Sequence, residues 1–275
     1  MSLQTKQFDK LSPQVLRLVA PNPGLMTGPG TNTYIIDPDN AWIIDPGPAD
    51  PEHIERILQC VKTVRGILLT HTHPDHWPAA PILAQRSGAP IYAATLAMGN
   101  TPVTPDHLLH DQQTFTTAQG HITAIHTPGH ASNHFCFLLQ PENWLLTGDH
   151  IMNGSTVVIA PPDGDMQAYL DSLEKLKTPA PTCLLPAHGD VIDEPIRAIE
   201  QLIAHRLRRE AKILHILQLE HGLSLSELVK LVYDDVSAEL HPIAQQSLLA
   251  HLLKLQQEDR VSYKKNVWYL HASDY

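Results

Sequence analysis

Positive charge is scarce in this chain: 19 Lys and Arg stand against 29 Asp and Glu, for a formal net charge of −10. That balance does not suit an obligate binder of phosphate backbones. Charged residues of either sign make up only 17% and hydrophobic ones 43%, which excludes a disordered or fibrous chain. Cysteine is also sparse. Cys60, Cys136 and Cys183 are odd in number and have no short paired spacing. A disulfide framework is therefore excluded, and buried thiols are expected. No apolar run reaches 18 residues, so no membrane span is expected. Residues 1–23 contain no apolar run behind a basic start, so no signal peptide is expected and a reducing cytoplasm is the compartment that fits.

Two residue types are abundant. There are 18 histidines, nearly as many as Lys and Arg together, and 23 prolines. The prolines predict many loops and turns, and the histidines make a metal search the first task. The negative charge is uneven. Residues 1–195 carry 9 Lys/Arg and 19 Asp/Glu, and residues 196–275 carry 10 of each. Bound cations would offset part of the first figure.

The length suits one large domain with a smaller one attached. Over 1–195, short apolar runs alternate with turn residues. Strands are predicted at 33–36, 42–45, 67–70, 91–93, 122–126, 135–139, 144–147 and 182–186. Hairpin loops are predicted at 37–40 and 140–143, and helices at 51–61, 78–87 and 166–175. This is an α/β pattern of sheets covered by helices. From 196 onward the pattern changes. A long amphipathic helix is predicted over 196–220, then helices at 226–233 and 243–258. A hairpin follows, with Lys264-Lys265-Asn266 at its turn. Three helices and a hairpin are the order of a winged helix.

The chemistry is concentrated in Thr70-His71-Thr72-His73-Pro74-Asp75-His76, which follows the apolar run Gly66-Ile67-Leu68-Leu69. A loop just past a strand end can turn several side chains inward while the sheet fixes its position. Three further candidates follow in the same grammar, each beside a glycine: His130 in Thr127-Pro128-Gly129-His130, Asp149 in Leu146-Thr147-Gly148-Asp149, and His188 in Pro186-Ala187-His188-Gly189. Five imidazoles and two carboxylates are donors for zinc or a similar divalent ion, with manganese and iron as alternatives. A lone histidine would more often be a satisfied core residue, but this set is too large and too regular for that.

At these residues the chain resembles the metallo-beta-lactamase superfamily, over about 15–190. Gly30-Thr31-Asn32-Thr33-Tyr34 and Ile43-Ile44-Asp45-Pro46-Gly47 add to the likeness. The resemblance implies an αββα sandwich with two metals at one sheet edge. It implies that His71, His73 and His130 hold the first metal, that Asp75, His76 and His188 hold the second, and that Asp149 bridges. Asp45 would orient a ligand from behind. No cysteine falls on a ligand motif, which favours the hydrolase branches, such as glyoxalase II and the lactamase-like nucleases. Trp77-Pro78-Ala79-Ala80 departs from the Gly-Gly pair of many relatives, and Trp77 and Pro78 are expected to reshape the pocket lip. The winged-helix tail resembles that of the beta-lactamase-like protein 2 group, whose mitochondrial members are endoribonucleases.

Two ions about 3.5–4 Å apart can share one hydroxide, a nucleophile available near neutral pH. Asp75 and Asp149 would then be the carboxylates at the reaction, and no serine nucleophile is needed. His134 has two readings, a loop hydrogen bond or a substrate contact, and the first is preferred. Two substrate classes are open. One is a small ester, thioester or lactone, with the tail as lid or homodimer surface. The other is single-stranded RNA, with Arg206, Arg208, Arg209, Lys264 and Lys265 facing phosphates. The charge balance favours the first. A non-enzymatic, metal-dependent regulator is the weakest reading.

Overall fold

A computed structural model describes residues 8–95 and 102–271; the first seven residues of the stretch read for a signal peptide lie outside them. Two β-sheets face each other. The first runs in chain order: β1 (Phe8–Ser12), β2 (Val15–Val19), β3 (Asn32–Ile36), β4 (Ala41–Ile44), β5 (Val64–Leu68), β6 (Ile91–Ala93) and β7 (His107–Leu108). It is antiparallel from β1 to β4 and parallel from β4 to β7. The second sheet contains β8 (Thr114–Thr116), β9 (His121–His126), β10 (Phe135–Gln140), β11 (Trp144–Gly148) and β12 (Cys183–Pro186). Its one parallel pair is β11 with β12.

Strand alternation sorts the core into layers. Tyr34, Ile36, Trp42, Ile44 and Leu68 meet Phe135, Phe137, Leu139 and Leu146 between the sheets. The alternate residues Ile35, Ile43 and Ile67 turn outward against α1 (Pro51–Gln59) and α2 (Ala80–Ser87). On the other side, Cys136 and Leu138 pack against Tyr169 and Leu173 of α3 (Met166–Lys177). Helix, sheet, sheet, helix is the αββα order expected.

Helix α4 (Pro195–Leu219) joins the two parts of the molecule. Its Ile199 packs in the α3 layer, while its Ile213 and Leu217 enter a separate core. That core is completed by α5 (Leu225–Val232), α6 (His241–Gln257) and the hairpin β13 (Val261–Lys264) and β14 (Val267–Leu270). Ser224 and Glu227 cap α5 reciprocally. Lys265 and Asn266 both take positive φ at the hairpin turn, 52° and 64°, as a two-residue turn with right-handed twist requires. Among the described residues no helix is long and apolar enough to cross a membrane.

Candidate metal centre and active site

The seven side chains singled out in the sequence converge at one edge of the sandwich. His71, His73, Asp75 and His76 lie on the loop after β5, His130 between β9 and β10, Asp149 directly after β11, and His188 two residues after β12. Backbone hydrogen bonds stitch the two sheets together there: Phe135 N donates to Thr70 O (2.7 Å) and Asn32 N to Ala187 O (2.7 Å). Because β11 and β12 are parallel neighbours, their C-terminal ends deliver Asp149 and His188 side by side.

Two groups result. The donor atoms of His71, His73, His130 and Asp149 lie within 4.8 Å of one another, and so do those of Asp75, His76 and His188. In the first group, His73 Nδ1 is 3.0 Å from His71 Nε2 and 2.9 Å from His130 Nε2. In the second, Asp75 Oδ2 is 3.3 Å from His76 Nε2 and 3.2 Å from His188 Nε2. Asp149 reaches both. Its Oδ2 is 3.5 Å from His130 Nε2, and its Oδ1 is 3.2 Å from His188 Nε2 and 3.5 Å from His76 Nε2. One carboxylate with an oxygen on each side is the geometry of a bridge.

Ring orientation shows that these groups fit metal ions. A metal-binding imidazole commonly has its other nitrogen fixed by a hydrogen bond. Here His76 Nδ1 donates to Asp45 Oδ2 (2.9 Å), His130 Nδ1 to the Val158 carbonyl (2.8 Å) and His188 Nδ1 to the Gly30 carbonyl (3.3 Å). His71 Nδ1 lies 3.0 Å from Thr70 Oγ1, whose proton goes to Asp45 Oδ2 (2.6 Å), so the imidazole is the donor there. Each of these four rings therefore turns its Nε2, the nitrogen left free for a ligand, toward the cluster. His76 Nε2 and Asp149 Oδ1 are buried without a hydrogen-bond partner, a costly state unless something else binds them.

The electrostatics divide along the same line. Burial, together with the neighbouring histidines, holds His71 and His130 low and His73 at about 4, so the three imidazoles of the first group are neutral at pH 7. Burial opposes charge on His76 and His188 as well, but Asp149 and Asp75 outweigh it. His188 is held at about 9 and His76 well above its ordinary value. Against the same burial cost, His76 and His188 keep Asp75 and Asp149 below the usual carboxylate range.

Asp45 stands behind the cluster, buried, and accepts from Thr70 N (2.8 Å), Thr70 Oγ1 and His76 Nδ1. Its φ is +48°. Asp45 thus steadies both groups, one directly and the other through Thr70. Gly148, at φ +51°, leaves room where a Cβ would lie 2.6 Å from His134 Nε2 and 2.8 Å from Thr70. His134 is fully buried, bonds Thr127 Oγ1 (2.9 Å), and packs 5.1 Å from the His71 ring. It lies behind His71 with no surface to offer a substrate. Thr70, Thr31 (Oγ1 to Asp75 Oδ2, 3.0 Å) and the carbonyls of Val158 and Gly30 were not foreseen. A threonine beside a ligand motif was the only sequence signal for them, and backbone carbonyls give none.

Trp77 is partly buried and packs against the core between the first sheet and its helices. One expectation fails. Arg206 and Arg209 do not face solvent phosphates. They are 3% and 8% exposed; Arg206 donates to Val157 O, and Arg209 pairs with Asp235 (2.8 and 3.0 Å). Both lie on the face of α4 that packs inward. Arg208, Lys264 and Lys265 are exposed.

Comparison with known proteins agrees with this geometry. Residues 224–268 match the beta-lactamase associated winged helix domain. The chain is 34% identical over 275 residues to the beta-lactamase-like protein 2 homolog of Drosophila melanogaster, covering 94% of this chain and 92% of the relative. A beta-lactamase domain protein from Burkholderia ambifaria has the same fold, with a TM-score of 0.83 at 19% identity over 99% of this chain and 95% of that one. A shorter structure, described in a di-iron-bound form, aligns with TM-score 0.52 at 25% identity over 64% of this chain and 94% of that chain. Residues 26–188, more than half of the chain and including all seven clustered side chains, match the metallo-beta-lactamase superfamily; this chain belongs to that superfamily, as a metal-dependent hydrolase with a binuclear His/Asp site and a winged-helix domain.

Proposed function

We propose that the protein hydrolyses a small-molecule ester or thioester. The observation that carries this reading is the inward packing of Arg206 and Arg209. With them removed from the surface, the winged helix keeps Arg208, Lys264 and Lys265 as the exposed cations of the predicted phosphate track. A small acyl substrate needs no such track.

In this reading His71, His73 and His130 hold one ion, Asp75, His76 and His188 the other, and Asp149 bridges them. When bound, two divalent ions supply an activated water at neutral pH and polarise the carbonyl under attack. Asp75, whose side chain is 25% exposed, would be ionised as a ligand of the second ion. It therefore accepts a hydrogen bond from the attacking water and orients it. Thr31 and Asp45 hold Asp75 and His76 in place. Water adds to the acyl carbon, the C–O or C–S bond breaks, and the alcohol or thiol leaves with a proton. Five imidazoles and two carboxylates suit zinc, with manganese as an alternative, and the di-iron neighbour makes iron the other. Three free thiols, two of them buried, support a reducing cytoplasmic setting.

The test is one substrate panel on metal-loaded protein: an acyl-glutathione thioester, a p-nitrophenyl ester, bis-nitrophenyl phosphate and single-stranded RNA. Ester or thioester turnover is expected, with RNA left intact. RNA cleavage that weakens steeply with salt and is lost in an Arg208, Lys264, Lys265 triple alanine variant, with no acyl turnover, would overturn it.

A further inference from the structure

Between the sandwich and the winged-helix domain lies a cavity of about 310 Å3, at the small end of ligand pockets. Leu25 and Met26 from the β2–β3 loop, the 152–158 loop, α4 and α6 form its walls. None of the seven clustered side chains lines it, yet each loop wall is tied to one of them. Val158 accepts the hydrogen bond of His130. The Leu25 loop ends at Thr31, which holds Asp75. Met152 follows Asp149 by three residues. The lining is mostly apolar, with Leu25, Met26, Val157, Leu240 and Ile243 among its residues. Leu25 and Met26 are 72% and 53% exposed, a cost that an apolar occupant would remove.

His205, Ser247, the Arg209–Asp235 pair and Arg206 break the apolar lining. Arg206 is buried, and its Nε has no hydrogen-bond partner. Its neighbour Arg209 is held by both oxygens of Asp235, and the nearby Glu210 is taken by Lys254 (3.0 Å). Among the described residues no carboxylate lies within salt-bridge reach of Arg206. What it has is the Val157 carbonyl and the face of Tyr169, 5.3 Å away. Buried cations are ordinarily paired. Arg206 lines the cavity with no carboxylate partner of its own.

We propose that this cavity takes the acyl portion of the substrate, an apolar group ending in a carboxylate, and that Arg206 pairs with that carboxylate. At about 30 Å3 for each water-sized group, the cavity accommodates about ten non-hydrogen atoms. The assignment rests on the ester or thioester reading of the metal centre.

The experiment uses the metal-loaded full chain and N-acetylcysteamine thioesters of acetate, octanoate and octanedioate, the last with one carboxylate free. The kcat/KM of the octanedioyl substrate should exceed that of the octanoyl one by about tenfold or more, the worth of a hydrogen bond to a charged group. Arg206→Gln should bring that ratio to about one. Ala244→Trp fills the cavity from α6 and should lower the octanoyl-to-acetyl ratio by about tenfold. A second arm reads binding without turnover: calorimetry with the monoamide of octanedioic acid, which should bind the wild type and weaken about tenfold in each variant. If no thioester is turned over but both variants lose the monoamide, the acyl-hydrolase reading fails, and with it the acyl assignment, while the cavity and Arg206 stand as a site for an apolar carboxylate. Turnover independent of the acyl group, with monoamide binding unchanged in Ala244→Trp, overturns the cavity assignment. Should Arg206→Gln fail to fold, the wild-type preference and Ala244→Trp still decide.

Discussion

Four of the five imidazoles at the centre have one nitrogen committed to the protein and one to the cluster, and Asp45 serves two of them. Asp45→Asn keeps the shape but replaces one carboxylate oxygen with an amide nitrogen, so the side chain can no longer accept both from Thr70 N at Oδ1 and from Thr70 Oγ1 and His76 Nδ1 at Oδ2. Metal affinity should fall about 10–100-fold, the usual effect of losing such a partner. Chelator competition should register it for both ions; a loss confined to one ion would mean that Thr70 does not relay the effect to His71. Protonation gives a second expectation at this scale. In the metal-free protein at pH 7, His76 and His188 are protonated, because their pKa values are raised, while His71, His73 and His130 are neutral. Metal ligation needs neutral imidazole. Filling the second group should therefore release about two protons, and filling the first about none. Affinity at the second group should rise with pH through about 9. Calorimetry in buffers of different ionisation enthalpy measures the protons directly.

The elements that matter most are short loops past strand ends, and their shape depends on a few backbone positions. Gly30, at φ +144°, has no room for a side chain: a Cβ there would lie 2.0 Å from the Ala20 carbonyl. Gly30 also presents its own carbonyl to His188. Gly30→Ala should cost about 2 kcal/mol or more of stability and reduce occupancy of the second metal position. Thermal unfolding and elemental analysis check the two effects; an unchanged protein would show that the loop relaxes without disturbing His188. Helix α4 carries a different constraint. It belongs to two cores at once, so its inward face must hold Arg206, Arg209 and Glu210 as well as Ile199, Ile213 and Leu217.

At the scale of the whole molecule, half-buried Asp75 and buried Asp149 face two protonated histidines in the metal-free protein, and metal ions replace those protons. Ions that bind only the folded chain stabilise it by about 2.7 kcal/mol at a hundredfold excess over Kd, which corresponds to about 5 °C or more in Tm for a chain of this size class. Removing metal with a chelator should lower Tm by that amount and restoring it should reverse the change. A Tm insensitive to metal would mean that the seven side chains do not bind it tightly. The ligands come from both sheets, so the effect should appear as one shift of the whole sandwich.

The sequence alone singled out the seven side chains that converge at the sheet edge, the layered α/β architecture and the three-helix-and-hairpin tail. Each rests on local pattern: His-x-His-x-Asp-His after an apolar run, short apolar runs such as Tyr34-Ile35-Ile36 between turn residues, and spacing along α4. Strands β1, β2, β7 and β8 were not foreseen. β1 is exposed, β7 has two residues and β8 three, too little for a period. In β2, Arg17 interrupts the apolar run; it is buried only because Asp9 (2.7 Å) and the distant Asp190 (3.4 Å) meet it. The same physics misled the reading of α4. Helical spacing places Arg206 and Arg209 on one face but does not say what covers that face. Only the tertiary structure decided that Val157, Tyr169 and Asp235 would do so. It also decided which carbonyls orient His130 and His188, because a backbone acceptor has no residue type by which a sequence can announce it.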